Sequence, residues 1–434
     1  MDSLKVGIVG AGNVGTGTLQ ILFENKEQLA HKLGIPVEVA MLCSRSIHSR
    51  ELPPGAESIA KTTDWRELVN NPEIDVVAEL IGGTGVAADV IEAALANGKA
   101  VVTANKELMA KRGVELWQMA SDAGRPLAME ASVAGGIPIH TVLREGIVGD
   151  RIDSMAGILN GTCNFILTEM EKAGRGFDEV LAEAQSLGYA EADPSADVDG
   201  FDARSKLAIL AALAFGCRVP VEDIFVDGIR RVSDVDFSYA AQLQHTIRLL
   251  CVARISPEGL ALSVRPTLLP KAAILASVSG SYNAVWVKGV YGADTFYYGR
   301  GAGPLPTGVA VVSDIIHAGR ELRSGRQNRV SPYSFRQLAE YQPAPPESFK
   351  QPYYLRFRVE NRFGIIADLA GILRDHGIGI DAVGQLPITN WRDLPFVITV
   401  EPATHGQIEE AVATMSRLEY LLETPLVMPM LTGF

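Results

Sequence analysis

Lys5-Val-Gly-Ile-Val-Gly10-Ala-Gly12-Asn-Val-Gly15 decides how the N-terminal region folds. Its first half is an apolar run closed by glycine, the pattern of a buried strand. Its second half carries glycines at positions 10, 12 and 15. That spacing alone is a weak signal, and an ordinary glycine-rich turn can show it. Directly after a strand and at the opening of a helix, it is the context of a dinucleotide fingerprint. Gly10 permits the tight turn, Gly12 lets backbone approach a pyrophosphate, and Gly15 lets the helix pack close to the sheet. The free N–H groups of the helix start complete an anion site. Gly10, Ala11, Gly12, Asn13, Val14 and Gly15 are therefore the expected cofactor contacts.

Outward from this stretch, a helix-period segment runs from Gly15 to Leu33, and a second strand from Val37 to Cys43. An NAD site usually has an acid closing that strand. Here the strand ends Leu42-Cys43-Ser44-Arg45. An arginine can pair with a 2′-phosphate, so NADP is favoured; NAD with a solvated Arg45 is the alternative. Strands Ile74–Leu80, Ala100–Thr103 and Pro126–Ala131 then alternate with helices Val86–Asn97 and Leu108–Asp122. That alternation predicts an α/β fold with a Rossmann-like, doubly wound parallel sheet over residues 1–135.

The pattern changes after residue 135. Strand Asp153–Leu159, helices Thr162–Lys172, Phe177–Leu187 and Asp202–Phe215, strand-like stretches Leu260–Leu269 and Ser281–Val290, and a helix from about Thr307 to Glu321 predict an α+β catalytic and dimerisation domain over 136–341. Residues 342–352 hold four prolines and read as a stiff linker. Beyond it, 353–434 has the order βαββαβ: strand Tyr353–Val359, helix Ile365–His376, strands Ala382–Ile388 and Phe396–Val400, helix Gln407–Leu418 and strand Leu426–Met430. This is a ferredoxin-like module.

The chain has 434 residues, 47% of them hydrophobic and 21% charged, so a disordered chain or a fibre is excluded. Its net charge of −12 argues against nucleic acid, which needs a basic face. The most apolar helical run, Leu207–Gly216, is too short to span a bilayer. There is no signal-peptide pattern at the N-terminus. The four cysteines form no CxxC or zinc spacing and read as reduced, buried thiols. A cytoplasmic protein is expected.

Two stretches carry chemistry. Thr103-Ala-Asn105-Lys106 closes a parallel strand, and ligands in such sheets bind beyond the carboxyl ends of strands. Lys106 can face a nicotinamide and a reacting carbonyl, or simply be a solvated helix-start lysine. Tyr189-Ala-Glu191-Ala-Asp193-Pro194-Ser-Ala-Asp197-Val-Asp199-Gly-Phe-Asp202-Ala-Arg-Ser-Lys206 packs five carboxylates between Glu191 and Asp202, on a Pro/Gly loop entering a helix. Asp202 and Lys206 share a helix face. A surface salt pair is one reading. A lysine bordering the apolar run Leu207–Leu213 and serving as an acid/base is the other. Asn160-Gly161-Thr162 is either a helix cap or a donor cluster for a substrate carboxylate. Arg300-Gly301-Ala302-Gly303-Pro304 can bring backbone close to a cofactor or be a plain turn. The histidines match no triad or metal pattern.

Taken together these motifs resemble the homoserine dehydrogenase family in its longer form, with a C-terminal ACT domain. The resemblance spans nearly the whole chain. It is carried by Gly10–Gly15, Thr103–Lys106, Glu130-Ala-Ser-Val-Ala-Gly-Gly-Ile-Pro138, Gly157-Ile-Leu-Asn-Gly-Thr162, Gly188–Pro194, Asp202–Lys206 and Gly299-Arg-Gly-Ala-Gly303. It implies NAD(P)H-dependent, reversible reduction of L-aspartate 4-semialdehyde to L-homoserine, in threonine, methionine and isoleucine biosynthesis. It implies that Lys206 is the proton donor and Lys106 the second active-site lysine, near both nicotinamide and substrate. Glu191 and Asp202 resemble the substrate-binding acids, Asp197 a supporting carboxylate, and Asn160 and Thr162 the substrate loop. Thr84, Gly188 and Gly303 join the cofactor contacts. Glu130, Val133, Gly135 and Ile137 resemble a site for a monovalent cation such as Na+, built largely of backbone carbonyls. A homodimer or homotetramer is implied, with threonine as effector at the ACT loop Asn361–Ile365. Two departures stand out: Ile81-Gly-Gly-Thr84-Gly-Val-Ala lacks the family's Gly-Gly-x-x-Pro-Ala form, and Phe363 replaces a usual proline. Rival readings are another amino-acid or amino-aldehyde dehydrogenase, and a non-catalytic nucleotide and amino-acid sensor.

Overall fold

The computed structural model describes residues 2–325, 333–345, 348–387, 390 and 392–432. The fingerprint opens a six-stranded parallel sheet: β1 (Leu4–Val9), β2 (Val37–Cys43), β3 (Ala60–Thr62), β4 (Val76–Glu79), β5 (Ala100–Thr103) and β6 (Leu127–Ala128). Their order is β3-β2-β1-β4-β5-β6, so the chain reverses direction across the sheet between β1 and β4. Ligands bind outside the strand ends at such a switch point. Alternate residues serve opposite faces, as the strand period requires. Leu4, Val6, Ile8, Val76 and Ala78 fill one core, while Val9 and Val77 fill the other.

Two details of the sequence reading change here. The single helical segment from Gly15 is two helices, Asn13–Glu24 and Lys26–Leu33, broken at Asn25. Asparagine is a poor helix former, and its backbone at φ −102°, ψ 14° ends one helix and starts the next. The last helix of the 136–341 segment, Pro304–Ser324, packs on the first sheet and not within its own segment. Small residues permit the approach. A Cβ on Gly17 would lie 2.1 Å from the Pro304 carbonyl oxygen, and one on Gly319 would lie 2.7 Å from Leu4. The 136–341 stretch is therefore not a self-contained body.

A second, mixed sheet runs in the order Asp294–Arg300, Tyr282–Gly289, Ile152–Ile158, His245–Ser256, Gly259–Pro270, Phe225–Val226. Its hairpin His245–Ser256/Gly259–Pro270 pairs twelve residues on each side. The first of these strands goes unread in sequence because buried Arg248 interrupts its apolar pattern. That guanidinium reaches the Glu171 carboxylate at 3.0 Å and the Val278 carbonyl at 3.1 Å.

The C-terminal segment forms a four-stranded antiparallel sheet with the expected βαββαβ order: Lys350–Val359, Ile365–Asp375, Ile380–Gly384, Leu394–Thr404, His405–Met415 and Leu426–Pro429. Its second strand is Ile380–Gly384; Ile388, the expected end, lies outside the described residues. The segment is docked, not tethered. Buried Arg356 pairs with buried Asp236, and Tyr354 Oη donates to the other Asp236 oxygen at 2.8 Å. The linker reading needs the same correction. Leu260 N–H donates to the Gln342 carbonyl at 2.9 Å and Ala344 N–H to the Leu260 carbonyl at 3.2 Å, so the proline-rich stretch lies along the hairpin edge. All four cysteines are buried free thiols. Among the described residues, no helix is long and apolar enough to cross a membrane.

Candidate active site

The site gathers where the carboxyl end of β5 meets the helix Phe201–Phe215. Asn105 caps the helix Lys106–Asp122, accepting from Leu108 N–H at 3.1 Å. Lys106 therefore projects from a fixed first turn. Its Nζ lies 2.6 Å from Asp202 Oδ1, and Lys206 Nζ lies 2.7 Å from Asp202 Oδ2. One carboxylate thus joins two ammoniums from two different parts of the fold. Lys206 also donates to the Leu159 carbonyl at 2.8 Å, at the end of strand Ile152–Ile158. Asp202 and Lys206 are buried, whereas the Lys106 side chain is 46% exposed and lines the opening.

The surface-pair reading of Asp202 and Lys206 is thereby overturned. The run Leu207–Leu213 is buried, and it draws the first turns of its helix down with it. Asn160 is the helix cap, and its amide donors go to the protein's own acids instead of standing free for a substrate carboxylate. Its Oδ1 caps the helix Gly161–Ala173, accepting from Cys163 N–H at 2.8 Å. Its Nδ2 donates to Asp197 at 2.7 Å and Asp202 at 2.9 Å. Thr162 is less central: its hydroxyl donates to the Tyr189 carbonyl at 2.7 Å, pinning the start of the acidic loop. Glu191 is exposed on that loop.

The electrostatics follow from this geometry. Burial alone would raise the Asp202 carboxyl, but Lys206 and Lys106 hold it well below the usual carboxylate range. Burial lowers the Lys106 amine; the Asp202 charge and hydrogen bond, with Asp197 and Glu191 behind them, outweigh that and raise it. Asp197 goes the other way: burial raises it and the Asp202 charge adds to the rise, against the Asn160 hydrogen bond.

The fingerprint loop behaves as its glycines require. Gly10 sits at φ +113°, and a Cβ there would lie 2.5 Å from the Leu80 carbonyl oxygen. A Cβ on Gly15 would lie 2.0 Å from the Gly10 carbonyl oxygen. Gly12 is the N-cap of its helix without a side-chain cap, and open space lies where its Cβ would be. Ala11 is buried, and Asn13 and Val14 form the first helical turn. These residues fit a dinucleotide: the helix start has no side-chain cap, and the space beside Gly12 is open. Gly303 caps the helix Pro304–Ser324, whose start packs on Gly17. Thr84 is half-buried beyond β4, next to Gly82 and Gly83 at positive φ; Asn105 Nδ2 donates to the Gly83 carbonyl at 2.6 Å and ties this loop to Lys106. Gly188, at φ +76°, closes the helix Phe177–Ser186 and is exposed.

Arg45 is exposed two residues past β2 and makes no hydrogen bond or ion pair among the described residues. Sequence reasoning missed its neighbour Arg50, whose guanidinium donates to the Ala11 carbonyl in the fingerprint loop. Glu79 was missed as well. It is fully buried at the end of β4, accepting from Thr103 Oγ1 at 2.6 Å and from Ile81 N–H at 2.9 Å, so it holds the β4 and β5 ends together. A lone acid in an apolar strand was the available signal for Glu79; Arg50 had none.

Glu130, Val133, Gly135 and Ile137 are buried together beside the Gly301 turn. The Glu130 carboxylate is engaged by His140 N–H at 2.8 Å and by Thr141 N–H and Oγ1 at 2.9 and 2.6 Å. Among the described residues, the Val133 and Gly135 carbonyls receive no hydrogen bond, while Ile137 O accepts from Ile139 N–H at 2.8 Å. Ala134 at φ +56° and Gly135 at φ +42° shape this turn. The Glu130 side chain is thus already engaged, and the Val133 and Gly135 carbonyls are the oxygens here left to hold a monovalent cation.

Comparison with known proteins agrees with this chemistry. Residues 10–130 match the homoserine dehydrogenase NAD-binding domain, and residues 138–316 match the homoserine dehydrogenase family. The chain is 42% identical to a homoserine dehydrogenase of Pseudomonas aeruginosa over 96% of both proteins. It is 38% identical to that of Bacillus subtilis, over 98% of this chain and 97% of the relative. The solved homoserine dehydrogenase of Thiobacillus denitrificans superposes with a TM-score of 0.91 at 40% identity, covering 99% of this chain and 98% of that one. A hyperthermophilic archaeal homoserine dehydrogenase solved in complex with NADPH has a TM-score of 0.63 at 27% identity, covering 73% of this chain and 97% of its own. Relatives this similar over both the nucleotide-binding and the lysine–carboxylate regions leave neither rival reading standing: the chain belongs to the homoserine dehydrogenase family, NAD(P)-dependent oxidoreductases of amino-acid biosynthesis that interconvert L-aspartate 4-semialdehyde and L-homoserine.

Proposed function

We propose that Lys206 is the proton donor to the aldehyde oxygen, that Lys106 flanks the nicotinamide and substrate, and that the cofactor is NADP. The observation that carries this reading is the Asp202 carboxylate held between both ammoniums. A bound nicotinamide supplies the hydride to the aldehyde carbon. Lys206 spends two N–H groups on Asp202 and Leu159, which leaves the third to donate to the substrate oxygen. As charge develops there, that N–H stabilises it and then gives up its proton. In oxidation the neutral amine takes the proton back. Glu191, Asp202 and Asp197 receive the substrate ammonium, and Asn160 and Thr162 form the loop beneath it. The test is NADPH oxidation with aspartate semialdehyde, repeated with NADH and with Lys206→Met. No turnover by wild type, or unchanged turnover by the variant, overturns the assignment.

Several finer readings belong with this one. Arg45, at the end of β2 without a competing acid, supports a 2′-phosphate contact; Thr84, Gly188 and Gly303 join the cofactor contacts. A monovalent cation such as Na+ sits on the carbonyls of Glu130, Val133, Gly135 and Ile137 as a structural ion. The chain divides into a nucleotide-binding unit of 1–135 joined by the helix Pro304–Ser324, a catalytic and dimerisation unit up to 341, the docked segment 342–352, and an ACT unit of 353–434. That last unit regulates, with threonine as effector at the Asn361–Ile365 loop, where Phe363 is fully exposed. The enzyme works in the cytoplasm as a homodimer or homotetramer, in threonine, methionine and isoleucine biosynthesis.

A further inference from the structure

Away from the lysine–carboxylate site, a cavity of about 230 Å³ lies where the hairpin, the proline-rich stretch and the C-terminal sheet meet. Phe225, Leu262, Tyr341 and Tyr353 give it apolar walls, and Arg265 lines it. Arg265 is only 6% exposed, yet among the described residues no carboxylate lies within ion-pair distance of it. Its Nε has no hydrogen-bond partner, and its Nη1 meets only His405 Nδ1, at 3.4 Å. The Phe225 ring under it, 4.7 Å from the guanidinium carbon, is a partial substitute for an anion. Burial pushes its pKa down. A buried charge is strongly unfavourable unless paired. A planar guanidinium at a cavity of mixed lining, with Arg254 and Asp223 also at its wall, is shaped for bidentate recognition of a carboxylate.

We propose that this cavity binds a small monocarboxylate of free amino-acid size, held by Arg265, between the catalytic sheet and the C-terminal module. The carboxylate pairs with the guanidinium, the aliphatic body fills the space between Phe225 and Tyr341, and Asp223 at the lining faces an α-amine if the ligand carries one. Because Tyr353 comes from a strand and His405 from a helix of the C-terminal module, and Leu262 from the catalytic sheet, occupancy ties the two together. The site shares no residue with the lysine–carboxylate cluster, so it stands apart from the catalytic assignment.

Thermal unfolding of the full chain with millimolar isobutyrate, L-valine, L-valinamide or inorganic phosphate tests this. The carboxylates should raise the melting temperature by on the order of a few degrees at about ten times their dissociation constant. Valinamide should not. Response to L-valine above isobutyrate assigns an amino acid; response to both alike assigns a simple acid. In Arg265→Met the shift should vanish while the ligand-free melting temperature stays level or rises, because an unpaired buried charge is gone. A fall in the ligand-free value would make Arg265 merely structural. Ser263→Leu, which narrows the cavity and keeps the guanidinium, should abolish the shift as well. The proposal is overturned if no carboxylate acts, if phosphate alone acts, or if both variants respond like wild type.

Discussion

Replacing Lys206 with methionine separates the chemical role of the buried ammonium from its structural one. The aliphatic stem stays, and only Nζ and its charge are lost. Asp202 is not orphaned, because Lys106 Nζ remains 2.6 Å from its other oxygen. The variant should therefore fold, losing less than the roughly 3–5 kcal/mol typical of stranding one partner of a buried pair. The Leu159 carbonyl loses its donor, which costs about 1–3 kcal/mol. Turnover should suffer more. A single preorganised donor to a developing oxyanion is worth about 10²–10³ in kcat, and positioned proton transfer about 10²–10⁴. These effects overlap in one N–H group, so the expected loss is about 10²–10⁴, or roughly 2.7–5.4 kcal/mol of barrier. The assay is steady-state NADPH oxidation with aspartate semialdehyde, paired with NADPH binding and thermal unfolding. A kcat within a few-fold of wild type refutes the proton-donor assignment. So does a loss explained entirely by weaker NADPH binding. Lys206→Arg should not rescue, because a guanidinium keeps the charge but does not release its proton.

Other perturbations follow from the same contacts. Asp202→Asn strands the buried Lys206 ammonium, Lys106 being half-exposed, and should cost about 3–5 kcal/mol in chemical denaturation. It removes the group that raises Lys106 while leaving the burial that lowers it, so the alkaline limb of the pH–rate profile should move to lower pH; an unmoved limb would exclude Lys106 from the titration. Arg45→Ala should raise the KM for NADPH and leave that for NADH little changed, and equal effects on both would remove Arg45 from cofactor choice. A chain cut near Gln342 should melt well below the full chain, since Tyr354, Leu426 and Met428 share a core with the catalytic sheet; an unchanged melting temperature would mean the docking is dispensable. Arg356→Met leaves Asp236, already raised by burial, without its countercharge. It should destabilise by about 3–5 kcal/mol at neutral pH. A carboxyl whose folded pKa is raised makes folding less favourable above its unfolded value, so part of the loss should return on acidification; the same loss at every pH would refute this.

The parts legible in the sequence were those governed by local rules. The strand–glycine–helix context marked the first sheet, and the acidic run ending at Lys206 marked residues that the fold gathers around Asp202. Both are read from neighbours along the chain. Long-range contacts were not legible. Nothing in Pro304–Ser324 distinguishes a helix covering its own segment from one covering the N-terminal sheet; the close crossing shows only in the fold, where Gly17 and Gly308 let backbones approach and Gly319 makes room for the Leu4 and Leu33 side chains. Strand His245–Ser256 was hidden by an arginine whose partner, Glu171, lies on a distant helix. The docked C-terminal sheet was masked by the prolines before it, which signal an absence of regular structure but not whether the stretch is free or laid on a neighbour. Lys206's anchor at the Leu159 carbonyl is backbone, and a side-chain pattern cannot show which carbonyl an ammonium will find.

The placing of Asp202 between the lysines has a consequence for substrate capture. Lys106 belongs with the nucleotide-binding sheet and Lys206 with the catalytic unit, so two like charges meet where the two parts join. Without an anion between them their repulsion would splay the cleft. Asp202, held well below the usual carboxylate range by Lys206 and Lys106, bridges the two parts. Asp197 is pushed the other way by burial and the Asp202 charge, against the Asn160 hydrogen bond and the two lysines. If the proposed substrate acids Asp197 and Glu191 receive an ammonium, its charge offsets the burial of Asp197, whereas a simple aldehyde without an amine offers no such charge. On this argument the preference for an amino-aldehyde comes from completing the charge balance of the cluster, and substrate analogues lacking the amine should lose kcat/KM even where their aldehyde reaches Lys206.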